Sequence, residues 1–265
     1  TCHVPIRIAH NHSVPSGKEP KRDALKYFLR LFAKVFSTDY FACSEKAARW
    51  MFGNKCCDAN KVMVVKNAID FDRFRPDCAV TDPLKDLLGL RGKFVIGHVG
   101  RFTFAKNHEF LLKIFKEISE IRKDAVLLLV GDGELSREIH ESVKQKGLED
   151  RVIFAGRVSN PEVYYRLVDV IVMPSVFEGL PLTTIESQIA GVPAVVSQAI
   201  PSEAVISDGV VRLSLKDSNW VDTVLSMADK PVTLNADSKE YDIHEAVKKL
   251  ENWYEEKGKQ CQKFQ

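Results

Sequence analysis

Glu178 and Glu186 stand eight residues apart in the stretch FEGLPLTTIESQIAGVPAVVS, Phe177 to Ser197. Between them Pro181 fits a first helical turn, where its missing N–H costs nothing, and Gly191 followed by Pro193 marks a helix end. The spacing predicts a helix over Leu182–Ala190, with Leu182, Ile185, Ile189 and Ala190 on an apolar face and Thr183, Thr184, Ser187 and Gln188 on the polar side. Successive helical residues turn by about 100°, which puts Glu186 inside the apolar stripe. A carboxylate buried there alone costs several kcal/mol, so Glu186 either closes a salt bridge or is kept for a polar ligand. Ahead of the helix, Glu178 shares a loop with Gly179 and Leu180, whose backbone N–H groups are free to meet an oxyanion or a hydroxyl.

A second chemical signal is GHVGRFTFAKNHEF, where Gly100 ends a strand-like run and Asn107 is placed to cap a helix. Arg101 and Lys106 lie in the intervening loop. Two cations beside a helix N-terminus suit an anion, a diphosphate above all; the alternative is two ordinary surface charges. VGDGEL brings Gly131 and Gly133 around Asp132, which serves either close approach of a ligand or a tight turn. Neither loop fits the dinucleotide pattern G-x-G-x-x-G. His10 and His12 alternate at the end of another strand, facing a cleft or capping a turn. The run HNH has no accompanying metal-ligand pattern, which excludes a nuclease of that type.

These loops need strands to carry them. From Phe94 onward, the apolar runs FVIGHV, AVLLLV, RVIFAG, VIVMPS, AVVS and VVRLSL alternate with helical patterns such as Asn107–Arg122, Glu134–Lys146 and Pro161–Val168. That alternation predicts an α/β fold with a parallel sheet covered on both faces, a complete doubly wound domain over 94–228 with ligands beyond the C-terminal strand ends. IRIAH, YFACS and KVMVV predict only three strands before it, a partial Rossmann-like domain over 1–75. The segment DFDRFRPDCAVTDP lacks clear periodicity and carries two prolines, and a linker is read over 76–93. A stripe of Ile243, Ala246, Val247, Leu250, Trp253 and Tyr254 predicts a last helix, 239–260, that crosses back toward the N-terminal part.

The 265 residues are 45% hydrophobic and 28% charged with a net charge of +2, an ordinary globular balance that gives no global pointer to nucleic acid. Six cysteines show no zinc spacing and are too few for a disulfide scaffold, so reduced thiols in a cytoplasm are expected. No apolar run reaches the roughly 18 residues of a membrane span.

The segments GRFTFAKN, VGDGEL, RVIFAGRVSN and FEGLPLTTIESQIAGVPAVVS, in this order and spacing, resemble glycosyltransferase family 4, and more narrowly its bacterial capsular and exopolysaccharide members. RIAHNHS, TDYFACSEKAARWMFG and VVKNAIDFDRF extend the likeness toward the N-terminus. The resemblance implies a GT-B fold, two Rossmann-like domains facing across a cleft, and retaining transfer of a sugar from a nucleotide sugar, a UDP-sugar by expectation, to a saccharide or lipid-linked saccharide in surface polysaccharide synthesis. Carried over by the motifs, Arg101 and Lys106 grip the donor diphosphate with Gly100 and Gly131 close by. Glu186 accepts from the ribose hydroxyls, Glu178 holds the transferred sugar with the Gly179 and Leu180 amides, and Val158 meets the base through its main chain. Glu178, Arg101 and Lys106 are thereby the catalytic candidates, His10 and His12 the acceptor-side ones, and neither a metal nor a cofactor is implied.

Two departures stand out. The chain begins downstream of the family's N-terminal glycine-rich loop and early histidine, so a truncated first domain is expected. Lys66 stands where Pro commonly precedes NAID. Two rivals follow: a non-catalytic or partner-dependent nucleotide-sugar-binding module, and a GT-B sugar-nucleotide epimerase. The helix 21–37 carries Arg22, Lys26, Arg30 and Lys34 beside Leu25, Phe28, Leu29, Phe32 and Phe36. It either lies peripherally on the inner face of the cell membrane or packs on its own sheet.

Overall fold

The computed structural model describes residues 4–12, 14–15, 20–74 and 78–262. It divides into two compact units, Thr1–Asp70 with Lys239–Gln265, and Phe71–Ser238.

The second unit is built on six parallel strands: β4 (Phe94–Val99), β5 (Ala125–Val130), β6 (Val152–Gly156), β7 (Val170–Met173), β8 (Ala194–Ser197) and β9 (Val210–Leu213). Their order across the sheet is β6-β5-β4-β7-β8-β9, so the winding direction reverses between β4 and β7. Every residue of β4, β5, β7 and β8 is buried, which is why these strands read as unbroken apolar runs rather than alternating ones. Phe94, Ile96, Leu127, Leu129, Val170 and Val172 pack with Leu111, Phe115 and Ile118 of the helix His108–Ile121 in one hydrophobic core. At the reversal, loops from adjacent strands diverge to opposite faces and leave a crevice at the C-terminal edge.

The first unit carries β1 (Ile8–Asn11), β2 (Asp39–Ala42) and β3 (Val62–Val64), parallel and in that order. Ala42, Cys43, Ala47 and Ala48 form its small core. The helix Ile243–Gln262 belongs to this unit, with Trp253 edge-on to Phe41 at 4.8 Å between ring centroids and Lys257 paired to Asp39 at 2.7 Å. Cys43, Cys56 and Cys57 are free thiols.

Three expectations need correction. Within the stretch read as a linker, 76–93, Cys78–Leu87 is a helix belonging to the second unit, with Pro83 inside it. The proline forfeits one backbone bond but does not stop the helix; residues 75–77 lie outside the described residues. The helix Leu182–Ile189 buries Thr184, Ser187 and Gln188 along with Ile185, so the side read as polar is largely interior. Hydrogen bonds make that burial affordable. Gln188 donates to Thr184 O (2.6 Å) and Ala204 O (2.8 Å) and accepts from Ile206 N (2.7 Å) and Ser207 Oγ (2.9 Å). Third, the helix Pro20–Phe36 does not pack its apolar face on the sheet: Leu25, Phe28, Leu29, Phe32 and Phe36 are all exposed. Of its basic residues, Lys26 is bonded to Val14 O and Arg30 lies over the Trp50 ring, while Lys34 is exposed; the Arg22 side chain lies outside the described residues.

Gln188→Met keeps the volume of this side chain but orphans the Ile206 N–H and the Ala204 carbonyl. Urea denaturation is expected to show a loss of about 3 kcal/mol, the scale of two buried polar groups left unpaired. A loss within about 0.5 kcal/mol of zero would mean that these bonds do not fix the helix.

Candidate functional site

The crevice collects the loops that follow β4, β5, β6 and β7. Gly100, Arg101, Gly131, Asp132, Arg157 and Val158 are among the residues lining a pocket of about 610 Å³. Arg101 and Arg157 are exposed, and Arg101 Nε lies 3.4 Å from Glu134. Two glycines let the loops close on one another. A Cβ on Gly131 would stand 1.9 Å from the Gly100 carbonyl oxygen, and one on Gly133 would stand 2.4 Å from that of Phe102. The Phe102 N–H in turn donates to Asp132 O and the Leu135 N–H to Phe102 O, so the two loops are bonded to each other.

Across the reversal, Lys106 Nζ meets Glu178 Oε1 at 2.7 Å, with side chains only 14% and 13% exposed. The lysine reaches there by lying over Gly100, where a Cβ would come within 3.1 Å of its Cε. Ser175, fully buried at the end of β7, donates to the same Oε1 at 2.8 Å. Both bonds fall on one oxygen, and among the described residues Glu178 Oε2 has no partner. The adjacent Gly179 and Leu180 amides have no acceptor among the described residues either. Asn107 occupies the helix N-cap position in the left-handed region (φ 57°), yet its side chain does not cap; it donates to Pro174 O at 3.1 Å. That bond ties the β4 loop to the β7 loop.

Glu186 is half-buried, and its Oε2 accepts from the Tyr165 hydroxyl at 2.7 Å. No cation pairs with it among the described residues, so the salt-bridge alternative gives way to a neutral donor. Burial raises the Glu186 carboxyl above the ordinary carboxylate value, opposed by the Tyr165 hydrogen bond and by Lys106, while Glu162 adds to the rise. Tyr165 is fully buried, and burial together with the Glu186 charge pushes its hydroxyl well above its usual value, so it stays a donor. Tyr165 and Ser175 carry no periodic or motif signal that links them to the glutamates; only the packing does.

In the first unit, His10 and His12 sit at the C-terminal end of β1, ring centroids 4.0 Å apart, and His12 Nδ1 lies 3.1 Å from Asn67 Oδ1. Partial desolvation and the neighbouring His12 lower the His10 value.

Beneath the Lys106 loop lie two more imidazoles. His98 of β4 and His108 are buried with ring centroids 4.7 Å apart. His98 Nδ1 lies 2.9 Å from Val172 O, an acceptor that fixes the proton on that nitrogen. Its Nε2 and both His108 nitrogens have no partner among the described residues. Burial, then the Lys106 charge, holds His108 down to about 4, and burial holds His98 well below 6.5. Both are neutral at pH 7. The unfolded chain takes up protons below about pH 6.5 while the fold refuses them until about pH 4, so His108 stability is complete above that window and lost through it. His108 alone is expected to cost about 3 kcal/mol between pH 6.5 and 4, and His108→Leu to flatten that slope in urea midpoints measured across the range. An unchanged slope would show that His108 does not carry it.

Residues 85–229 match the family described as glycosyl transferases group 1. The chain is 36% identical over 232 residues to EpsF of Bacillus subtilis strain 168, which bears a glycosyltransferase name; the match covers 85% of this chain and 60% of EpsF. It is 27% identical over 242 residues to the Escherichia coli UDP-Gal:alpha-D-GlcNAc-diphosphoundecaprenol alpha-1,3-galactosyltransferase, covering 88% of this chain and 62% of that enzyme. The chain thus spans about three fifths of the length of these relatives. Among solved structures, Anabaena HepE in complex with UDP superposes with a TM-score of 0.77 at 19% identity, over 94% of this chain and 72% of HepE, a likeness of fold that is GT-B in type. The match over residues 85–229, more than half of the chain, settles the family: the chain belongs to the group 1 glycosyl transferases.

Proposed function

We propose that this chain holds a nucleotide sugar, a UDP-sugar, at the crevice of its second unit and serves retaining transfer of the sugar to a saccharide or lipid-linked saccharide acceptor of a surface polysaccharide. The observation that carries the reading is the meeting of Lys106 and Glu178 across the strand reversal, beside the Arg101 pocket and the Tyr165-held Glu186. A UDP-sugar donor and a diphosphate-linked lipid acceptor are what the name of the E. coli relative specifies for that enzyme. The work takes place in the cytoplasm, with neither a metal nor a cofactor.

In this mechanism the donor diphosphate lies between Arg101 and Lys106, which neutralise the charge that develops on it as the bond to the sugar breaks. The Val158 main chain meets the base. Glu186 accepts from the ribose hydroxyls through the oxygen that Tyr165 leaves open. Glu178 Oε2 takes a hydroxyl of the transferred sugar, and the Gly179 and Leu180 amides approach sugar and phosphate. The acceptor hydroxyl attacks the anomeric carbon from the face that the diphosphate leaves, and its proton passes to the departing oxygen. No covalent nucleophile takes part. His10 and His12 lie on the acceptor side.

Calorimetry tests the donor site directly. UDP is expected to bind, with Lys106→Gln and Glu186→Gln each weakening it about tenfold or more, the scale of one charge-assisted hydrogen bond. Because protonated Glu186 loses an acceptor, UDP affinity is expected to fall as pH drops through a midpoint above the ordinary carboxylate range. Tyr165→Phe removes the bond that favours the ionised form and moves this midpoint higher. UDP affinity unchanged in both charge variants would contradict the assignment. Transfer of radiolabelled sugar to an acceptor separates a transferase from the rivals: binding without turnover marks a binding module, and an altered free donor marks an epimerase.

The exposed face of Pro20–Phe36 supports one further contact, with a lipid surface. Since Lys26 and Arg30 are held by Val14 O and the Trp50 ring, insertion of the apolar face rather than charge drives it. Co-sedimentation with both neutral and anionic vesicles is expected, and loss of both in Phe28→Asp/Phe32→Asp; a chain that stays in the supernatant would overturn it.

A further inference from the structure

Lys66, the residue that departs from the family pattern, lies two positions beyond the end of β3. Together with Val64, Lys239, Glu240, Lys248 and Lys249 it lines a cavity of about 540 Å³ contained within the first unit. Four lysines and two glutamates, Glu240 and Glu245, border this space, a surplus of two positive charges. Lys66 is the most enclosed cation there: its side chain is 19% exposed, its Nζ stands 5.3 Å from the Tyr241 ring centroid, and Glu240 approaches only to 4.0 Å. Lys249 Nζ donates to Val64 O at 3.0 Å, which anchors the ammonium at the cavity wall and leaves two of its three protons. Lys248 is neutralised by Glu245 at 2.9 Å. With Lys248 paired, Lys66, Lys239 and Lys249 face only Glu240, and the remaining surplus of two positive charges is relieved by an anion placed among them.

The location favours a ligand. The cavity opens beyond the C-terminal end of a parallel strand, the edge at which such sheets bind ligands. The next residue, Asn67, is the partner of His12, so this loop is continuous with the two histidines at the same edge of the sheet. Ammonium groups act as point charges that suit phosphoryl oxygens. Val64, Val65 and Ala246 add an apolar wall that a free inorganic ion would leave unused.

We propose that this cavity binds the phosphoryl group of the acceptor, with Lys66, Lys239 and Lys249 as its ligands and the apolar wall against the attached carbon chain. The assignment rests on the glycosyl-transfer reading for the word acceptor, but the anion site itself does not.

The test uses the whole chain saturated with UDP, which fills the donor crevice. Geranyl diphosphate and inorganic pyrophosphate are titrated separately by calorimetry. Geranyl diphosphate is expected to bind more tightly than pyrophosphate. Lys66→Gln should weaken it about tenfold and Lys66→Gln/Lys249→Gln about a hundredfold, one charge-assisted hydrogen bond per step. Circular dichroism melts show whether each variant is folded, and Lys66→Arg, which keeps the charge, should retain binding where Lys66→Gln loses it. Binding indifferent to both lysines would overturn the site. Equal affinity for the two probes would overturn the acceptor assignment. If UDP itself does not bind while geranyl diphosphate still depends on Lys66, the donor reading fails and the anion site stands.

Discussion

The Lys106–Glu178 ion pair is the constraint around which the second unit is arranged. It forms where the strand order reverses between β4 and β7, and the loops that leave these neighbours also meet where the Val176 N–H donates to Ala105 O at 2.8 Å. Two opposite charges so nearly buried gain little net stability, because desolvation offsets most of their attraction, while removing one partner alone costs about 3–5 kcal/mol. The surroundings are built to keep the pair. Gly100 makes room for the lysine stem, Ser175 fixes the glutamate, and the Asn107 side chain gives up capping its own helix to tie the two loops together. A pair that contributes little stability yet is supported from three sides is suited to exchange one partner for an anionic ligand.

The neighbouring groups divide the remaining work by environment. Gly131 adopts φ 139°, a conformation open to glycine, and with Gly133 it allows the β5 loop to touch the backbone of the β4 loop. Glu186, raised by burial and steadied by Tyr165, presents an acceptor that is already partly dehydrated. The neutral His98 and His108 fill the space under the lysine loop without adding a second positive charge beside Lys106. The uncharged rings below leave Lys106 as the charge on that side of the loop, paired to Glu178, with Arg101 exposed beside it.

Much of the fold is legible in the amino-acid sequence. All nine strands among the described residues coincide with runs read as strands, most plainly β4, β5, β7 and β8, which are buried throughout and so need apolar residues along their length. The helix Cys78–Leu87 is hidden by Pro83, which disrupts the pattern more than it disrupts the helix. A binary pattern also misplaces Thr184, Ser187 and Gln188, since hydrogen bonds to distant backbone, such as Gln188 to Ala204 and Ile206, permit polar side chains inside. The helix Pro20–Phe36 inverts the usual rule, and periodicity reports an apolar face without saying which way it points. For the site, the glycines, cations and glutamates are visible as types and spacings. The supporting contacts of Tyr165 and Asn107 span 21 and 67 residues, which no local pattern encodes, whereas Ser175 stands only three residues before Glu178.

The most direct test of the ion pair's role is a crystal structure of the chain with UDP bound. Lys106 Nζ is expected within hydrogen-bonding distance of a phosphate oxygen, drawn away from Glu178, with Glu186 on the ribose. Nucleotide seated elsewhere, or held in the crevice with the Lys106–Glu178 contact still closed at 2.7 Å, would contradict it.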